Sequence, residues 1–292
     1  MDVSQILQYT ITGLTTGSIY ALIAIGFVTI YNVTGIINFS QGEFAMLGAM
    51  FTITFVELGL PMFVAILLAV MIAALIGFGI EKVSISPVKN ATFINLIIIT
   101  IGISIALRAV GLFAWGTYPK SLEPFSENVP IQIGGAVLMP QSLWVIGALI
   151  VLLTFLYMFF EKTMISSALK ACVINPKAAG LMGINIRTMA AIAFGVSAAV
   201  GAIAGIVIAP VTGATYDMGL MLGLKGFMAM IIGGMVSVPG VVVAGFLIGL
   251  IEAFSAGYIS TSYSDAISFA ILLLILFIAP NGIIPMAIGK RV

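Results

Sequence analysis

A chain of 292 residues with 62% hydrophobic and only 7% charged side chains, and a mean hydropathy of +1.28, cannot wet a globular surface. Soluble domains carry about 25% charged residues, so lipid must be the solvent for much of this one. The net charge of +1 excludes a general affinity for nucleic acid, histidine is absent, and the single Cys172 supplies neither an internal disulfide nor a metal-ligand spacing.

The start, Met1-Asp2-Val3-Ser4, lacks the basic region of a cleaved signal peptide, so the first apolar stretch is expected to stay in the mature protein. A spanning helix needs roughly 20 mainly apolar residues. In chain order the candidates are residues 6–30, 62–80, 94–115, 143–160, 189–210, 241–256 and 266–279. Two further stretches, 39–56 and 226–238, are apolar but shorter or richer in glycine. The intervening segments 81–93, 116–141 and 161–187 carry charge, proline or both, and none is long enough for a soluble domain. The expectation is an all-α polytopic membrane protein, a single transmembrane permease domain over residues 1–292 with about eight to nine transmembrane helices.

Loop charge predicts orientation. Lys162, Lys170, Lys177 and Arg187 place segment 161–187 in the cytoplasm, with Lys82 and Lys89 of 81–93 and the terminal Lys290-Arg291 on the same side. Segment 116–141 has one lysine against Glu123 and Glu127 and reads as external. With the N-terminus outside and the C-terminus inside, the crossings are odd in number, and counting both short stretches makes nine.

An offset of 184 residues matches Gly17 with Gly201, Gly35 with Gly219, Gly42 with Gly226, Ala45 with Ala229 and Met46 with Met230. Residues 6–30 and 189–210 would then run in opposite directions, an inverted internal repeat with interrupted Gly-rich helices, from which many transporters are built. Small residues four apart, Gly13/Gly17, Gly201/Gly205 and Gly245/Gly249, prepare close helix packing.

Ionisable residues at membrane depth are costly and therefore informative. Glu43 follows Gly42 near a helix start, where the helix dipole favours negative charge, and Lys225 precedes Gly226 at the matching place in the second repeat. With Asn38 and Gln41 these four are candidate translocation-pathway residues; the plain alternative is an interface position whose side chain reaches water. Arg108, about two turns before Gly116, is expected to reach the external face, and Asp265 to cap the final helix.

Residues 166–185 are too polar to span, yet their Ala, Leu and Met would be wasted in a solvated linker. Asn175 and Pro176 suit the start of a short helix and Gly183 the turn that ends it. Such a helix needs membrane surface or a protein groove. Here the pattern resembles the coupling helix of ABC permeases, and the chain resembles the branched-chain amino acid permease family over nearly its whole length. The resemblance is carried by residues 13–22, 35–44, 178–185 and 226–235 and by the Pro280-Asn281-Gly282-Ile283 ending. It departs at Lys170, where the family usually has arginine, and at Ile174-Asn175, where a carboxylate often precedes the helix.

What the resemblance implies is an inner-membrane importer of branched-chain or related amino acids. Its partners would be a second homologous permease, two cytoplasmic ABC ATPases, an extracytoplasmic amino-acid-binding protein and the bilayer. Lys170, Pro176, Ala178, Ala179, Leu181, Gly183 and Ile184 would couple to the ATPases. No G-x-x-x-x-G-K-[ST] loop is present, so ATP is expected on the partners and no cofactor or enzymatic activity on this chain. The competing readings are an ion-coupled secondary transporter using Glu43 and Glu252, an ABC permease for another small substrate such as urea, and a membrane scaffold.

Overall fold

The computed structural model describes residues 3–88, 92–127, 129–174, 176–279 and 282–284. Nearly all of it is helix: α1 (Val3–Thr34), α2 (Gln41–Glu57), α3 (Met62–Ile80), α4 (Phe93–Trp115), α5 (Pro140–Lys162), α6 (Met164–Ile174), α7 (Pro176–Leu181), α8 (Ile186–Thr212), α9 (Met218–Gly233), α10 (Val238–Tyr258) and α11 (Ser264–Ile278). In lipid every backbone polar group must be satisfied within the chain, and helices do this segment by segment. The ends are capped accordingly. The side chains of Thr92, Asn185 and Ser237 accept from the backbone N–H three residues on, opening α4, α8 and α10. Gly234 closes α9 in the left-handed region at φ 99°.

Contacts between distant segments sort the helix ends onto two sides. On one, the Gln8 side chain exchanges two hydrogen bonds with the Val137 backbone, Lys120 pairs with Glu57 at 2.7 Å, and the Lys120 and Ala214 backbones bridge. A small antiparallel hairpin, β1 (Ile131–Ile133) and β2 (Ala136–Leu138), caps this side. On the other side, Asn32 donates to Val236 O, Ile283 N donates to Ile232 O, and Thr34, Glu81, Cys172 and Arg187 share a cavity wall. Following the chain between the sides, α1–α5 and α8–α11 alternate, nine passes among the described residues. Seven helices are long and apolar enough to span; α2 and α9 are shorter. Lys82, Lys162 and Arg187 all lie on the α6–α7 side; Lys89, Lys290 and Arg291 lie outside the described residues.

The passes form two inverted halves, α1–α4 and α8–α11, with α5 between them in sequence. α1 packs along α10 as α8 packs along α3; α2 lies against α3 and α8 as α9 lies against α10 and α1. α1 and α8 are largely buried, whereas α4 and α11 mostly face outward. Glycine makes the α1–α10 seam. A Cβ on Gly17 would sit 2.7 Å from Phe246 Cα and one on Gly13 2.8 Å from Leu250 Cα, so the two backbones ride in direct contact.

The repeat departs from a constant offset of 184. The second helices of the halves begin at Gln41 and Met218, a separation of 218 − 41 = 177. Gly42 therefore corresponds to Gly219, which it touches across the pseudo-twofold, and not to Gly226. Seven residues are about two helical turns, so the faces stay matched while the depth changes. Lys225 consequently sits two turns inside α9 and is no counterpart of Glu43.

Candidate functional site

In both halves the second helix begins at the membrane centre. After α1 the chain turns at Gly35 and runs non-helically to Ser40, with Ile36, Ile37, Asn38 and Ser40 buried against protein. Irregular backbone at membrane depth survives only when covered in this way. Depth follows from α4, whose Ser104, roughly halfway along, donates to Glu43 at 2.9 Å, and whose Trp115 donates to Thr54 at 2.8 Å. Equal spacing on the two helices (54 − 43 and 115 − 104, both 11) means they run parallel, with Glu43 about 16 Å below the hairpin side. That is near the middle of a hydrocarbon core about 30 Å thick. The first turn of α9 meets the first turn of α2 there, Gly42 against Gly219 and Gly223, with no space for a side chain on either.

The polar groups at this junction are tightly held. Asn38 Oδ1 accepts from Ser40 N at 3.1 Å and from Ser40 Oγ at 2.6 Å. Gln41 donates to Ser197 O at 3.0 Å, while Ser197 Oγ lies 2.6 Å from Gln41 Oε1 and 2.7 Å from Gly26 O and shares its one proton between them. These bonds tie the α2 start to α1 and α8. Glu43 Oε1 pairs with Arg108 Nη2 at 3.3 Å. Arg108 therefore turns inward to a carboxylate, contrary to its expected reach for the external face, because an ion pair beside a helix N-terminus relieves a buried charge better than a long excursion. Glu43 Oε2, Asn38 Nδ2 and Arg108 Nε are buried without a hydrogen-bond partner. Arg108 also lines a shallow recess with Ile105, Leu112 and Tyr216.

Lys225 belongs to a second cluster. Its Nζ lies 2.7 Å from Glu252 Oε1, 2.8 Å from Asp265 Oδ1 and 3.0 Å from the Tyr20 hydroxyl, which in turn donates to Glu252 Oε2 at 2.7 Å. One cation thus holds two carboxylates from α10 and α11 against α1. Asp265 lies inside the first turn of α11 and pairs with Lys225 rather than capping; the cap position is Tyr263, which makes no capping bond. Gly226, beside Lys225, faces Ile23 and Ala24 of α1. Tyr20 was not singled out in the sequence. Its signal was the need of a lysine deep in an apolar helix for partners.

The 166–185 segment folds as two helices, not one. α6 buries Leu169 and Cys172 against the bundle, and α7 follows. Ala179 is buried and its carbonyl accepts from Ile184 N at 3.0 Å; Met182 N donates to Ala178 O at 3.1 Å. Gly183 takes φ +84°, the turn expected of it. Leu181 and Met182 are 89% and 83% exposed. Lys170 and Pro176 lie within α6 and at the head of α7, their side chains outside what the structure describes, as is Asn175 entirely. The hairpin also escaped the sequence reading, although Gly134-Gly135 between Ile133 and Ala136 is a two-residue turn signal, realised here with both glycines at positive φ.

Two inverted halves, each with a short helix that begins at the membrane centre, define a polytopic helical membrane protein of the transporter type. The chain belongs to the family described as branched-chain amino acid transport system / permease component, whose model matches residues 9–276. It is 35% identical to the high-affinity branched-chain amino acid transport system permease protein LivH of Escherichia coli K12, over 95% of each chain. It is 29% identical to the corresponding protein BraD of Pseudomonas aeruginosa, over 97% of each. Its fold resembles that of PsaBC from Streptococcus pneumoniae, solved in complex with Fab, with a TM-score of 0.52, 12% identity, and coverage of 92% of this chain and 91% of that one.

Proposed function

We propose that the chain forms the translocation pathway of an ATP-driven importer for branched-chain amino acids. It would act in the cytoplasmic (inner) membrane with a second homologous permease, two cytoplasmic ATPases and an extracytoplasmic amino-acid-binding protein. The observation that carries this is the family match across residues 9–276, because the relatives LivH and BraD are named for that transport. ATP would then bind to the partners, since this sequence carries no G-x-x-x-x-G-K-[ST] phosphate loop.

On this reading the side that gathers Lys82, Lys162 and Arg187 faces the cytoplasm, with the N-terminus outside and the C-terminus inside. α7 would dock in an ATPase groove through Leu181 and Met182, whose exposure suits a protein partner. Lys170, Pro176, Ala178, Ala179, Gly183 and Ile184 would hold it in register. Closure of the ATPase pair would push α6–α7 and rock the inverted halves. Motion would concentrate at the central breaks, where Asn38, Gln41, Gly42 and Glu43, with Lys225 and Gly226 beyond them, border the path.

The test is leucine uptake into proteoliposomes containing both permeases. Uptake should require the ATPases, ATP and the loaded binding protein. Deleting Pro176–Leu181 or making Gly183→Val should abolish uptake while the chain still inserts. Uptake that persists without ATPases and follows a proton or sodium gradient refutes the reading.

A further inference from the structure

On the α6–α7 side a cavity of about 240 Å³ opens between the end of α1, the segment after α3, α6 and the start of α8. Residues Glu81–Ile85 form a single π-helical turn there, closed by Ser86 N donating to Glu81 O at 2.8 Å. Such wide turns concentrate at functional sites. Glu81 is 3% exposed, and its Oε2 has no hydrogen-bond partner. A buried carboxylate is costly unless a donor answers it. Arg187, exposed in the first turn of α8, lines the same cavity, as do Ile36, Ile85 and Phe194. Cys172 of α6 completes the wall and is buried.

A buried anion, a cation at the mouth and an aliphatic–aromatic wall complement a zwitterion with an apolar side chain. The volume lies below the roughly 300–1,000 Å³ of drug-sized sites, which suits a small ligand. The geometry points to a binding site for a free aliphatic α-amino acid, its ammonium on Glu81, its carboxylate on Arg187 and its side chain against Ile36, Ile85 and Phe194. For its inward orientation this inference rests on the proposed transport function. The ligand would touch α1, the π turn, α6 and α8 together.

Cys172 is the chain's single cysteine and reports directly on the cavity. Inside-out vesicles holding the complete transporter are treated with iodoacetamide, and Cys172 modification is followed by mass spectrometry. Millimolar leucine or valine should slow modification several-fold, whereas glycine and glutamate should not. Glu81→Gln should abolish the protection; where that variant does not insert, Arg187→Gln at the mouth serves instead. An unchanged rate with leucine, or equal protection in the variants, overturns the site. Protection by phosphatidylethanolamine in nanodiscs, with leucine adding nothing, also overturns it in favour of a lipid headgroup. ATP-driven uptake is measured on the same preparations. Protection without uptake refutes the transport reading and leaves the site; uptake without protection refutes the site alone.

Discussion

The Glu43–Arg108 pair can be weighed by a double-mutant cycle. At 3.3 Å and an effective dielectric near 20, the attraction is about 5 kcal/mol. Solvent at the 23% exposed Arg108 screens more than half of that, leaving a coupling of about 2 kcal/mol. Arg108→Met strands a carboxylate whose remaining donor is Ser104 and should cost about 3 kcal/mol. Glu43→Gln keeps an acceptor for Ser104 but unpairs the guanidinium, for about 2 kcal/mol. The double variant should then cost about 3 kcal/mol, against about 5 if the sites were independent. At about 2 °C per kcal/mol for a chain of this size, the midpoints in detergent should fall by about 6, 4 and 6 °C respectively. Thermal melts followed by tryptophan fluorescence read these shifts. Additivity within about 0.5 kcal/mol would show that the contact is incidental and that the carboxylate is held by Ser104 and the α2 N-terminus alone.

Lys225→Met should destabilise the chain by about 2–3 kcal/mol, below the range for a fully buried pair because Asp265 is 43% exposed. Adding Glu252→Gln should recover part of the loss in the same melts, and failure to recover any would place the cost elsewhere. Gly17→Val drives a branched side chain into the Phe246 backbone and should cost at least about 1–3 kcal/mol or prevent folding. Valine at the exposed Gly59 turn would be a poor control because φ is +86°, so Gly102, with open space around it, is the comparison. Burial raises the Cys172 thiol above its ordinary pKa. At any pH below that value less thiolate is present than on a free cysteine, so alkylation should start slower at neutral pH and keep climbing to higher pH than glutathione. A profile matching glutathione would place Cys172 at the surface.

Particular residues show how far the sequence could be read. The apolar stretches anticipated every long span, because lipid demands about 20 apolar residues and excludes charge. Gly13/Gly17 and Gly245/Gly249 were legible as packing positions, and they do meet each other. What the sequence did not show was register. The 184-residue offset placed Gly42 opposite Gly226, whereas the fold pairs Gly42 with Gly219, since a slip of two turns preserves a helix face. Arg108 near a helix end reads in sequence as a side chain reaching for water, whereas α2 beside it supplies Glu43 as a partner. α6 was hidden because an eleven-residue helix lying across a bundle end needs no long apolar run.

Composition and spacing alone therefore determined the solvent and the seven long spans, because these follow from the local cost of putting polar groups in hydrocarbon, whereas eight and nine passes stayed open until the fold placed α2 and α9. Only the tertiary structure decided which charges neutralise one another, Glu43 with Arg108 and Lys225 with Glu252 and Asp265. Pairing energy depends on distances between segments far apart in the chain, and no one-dimensional pattern contains them.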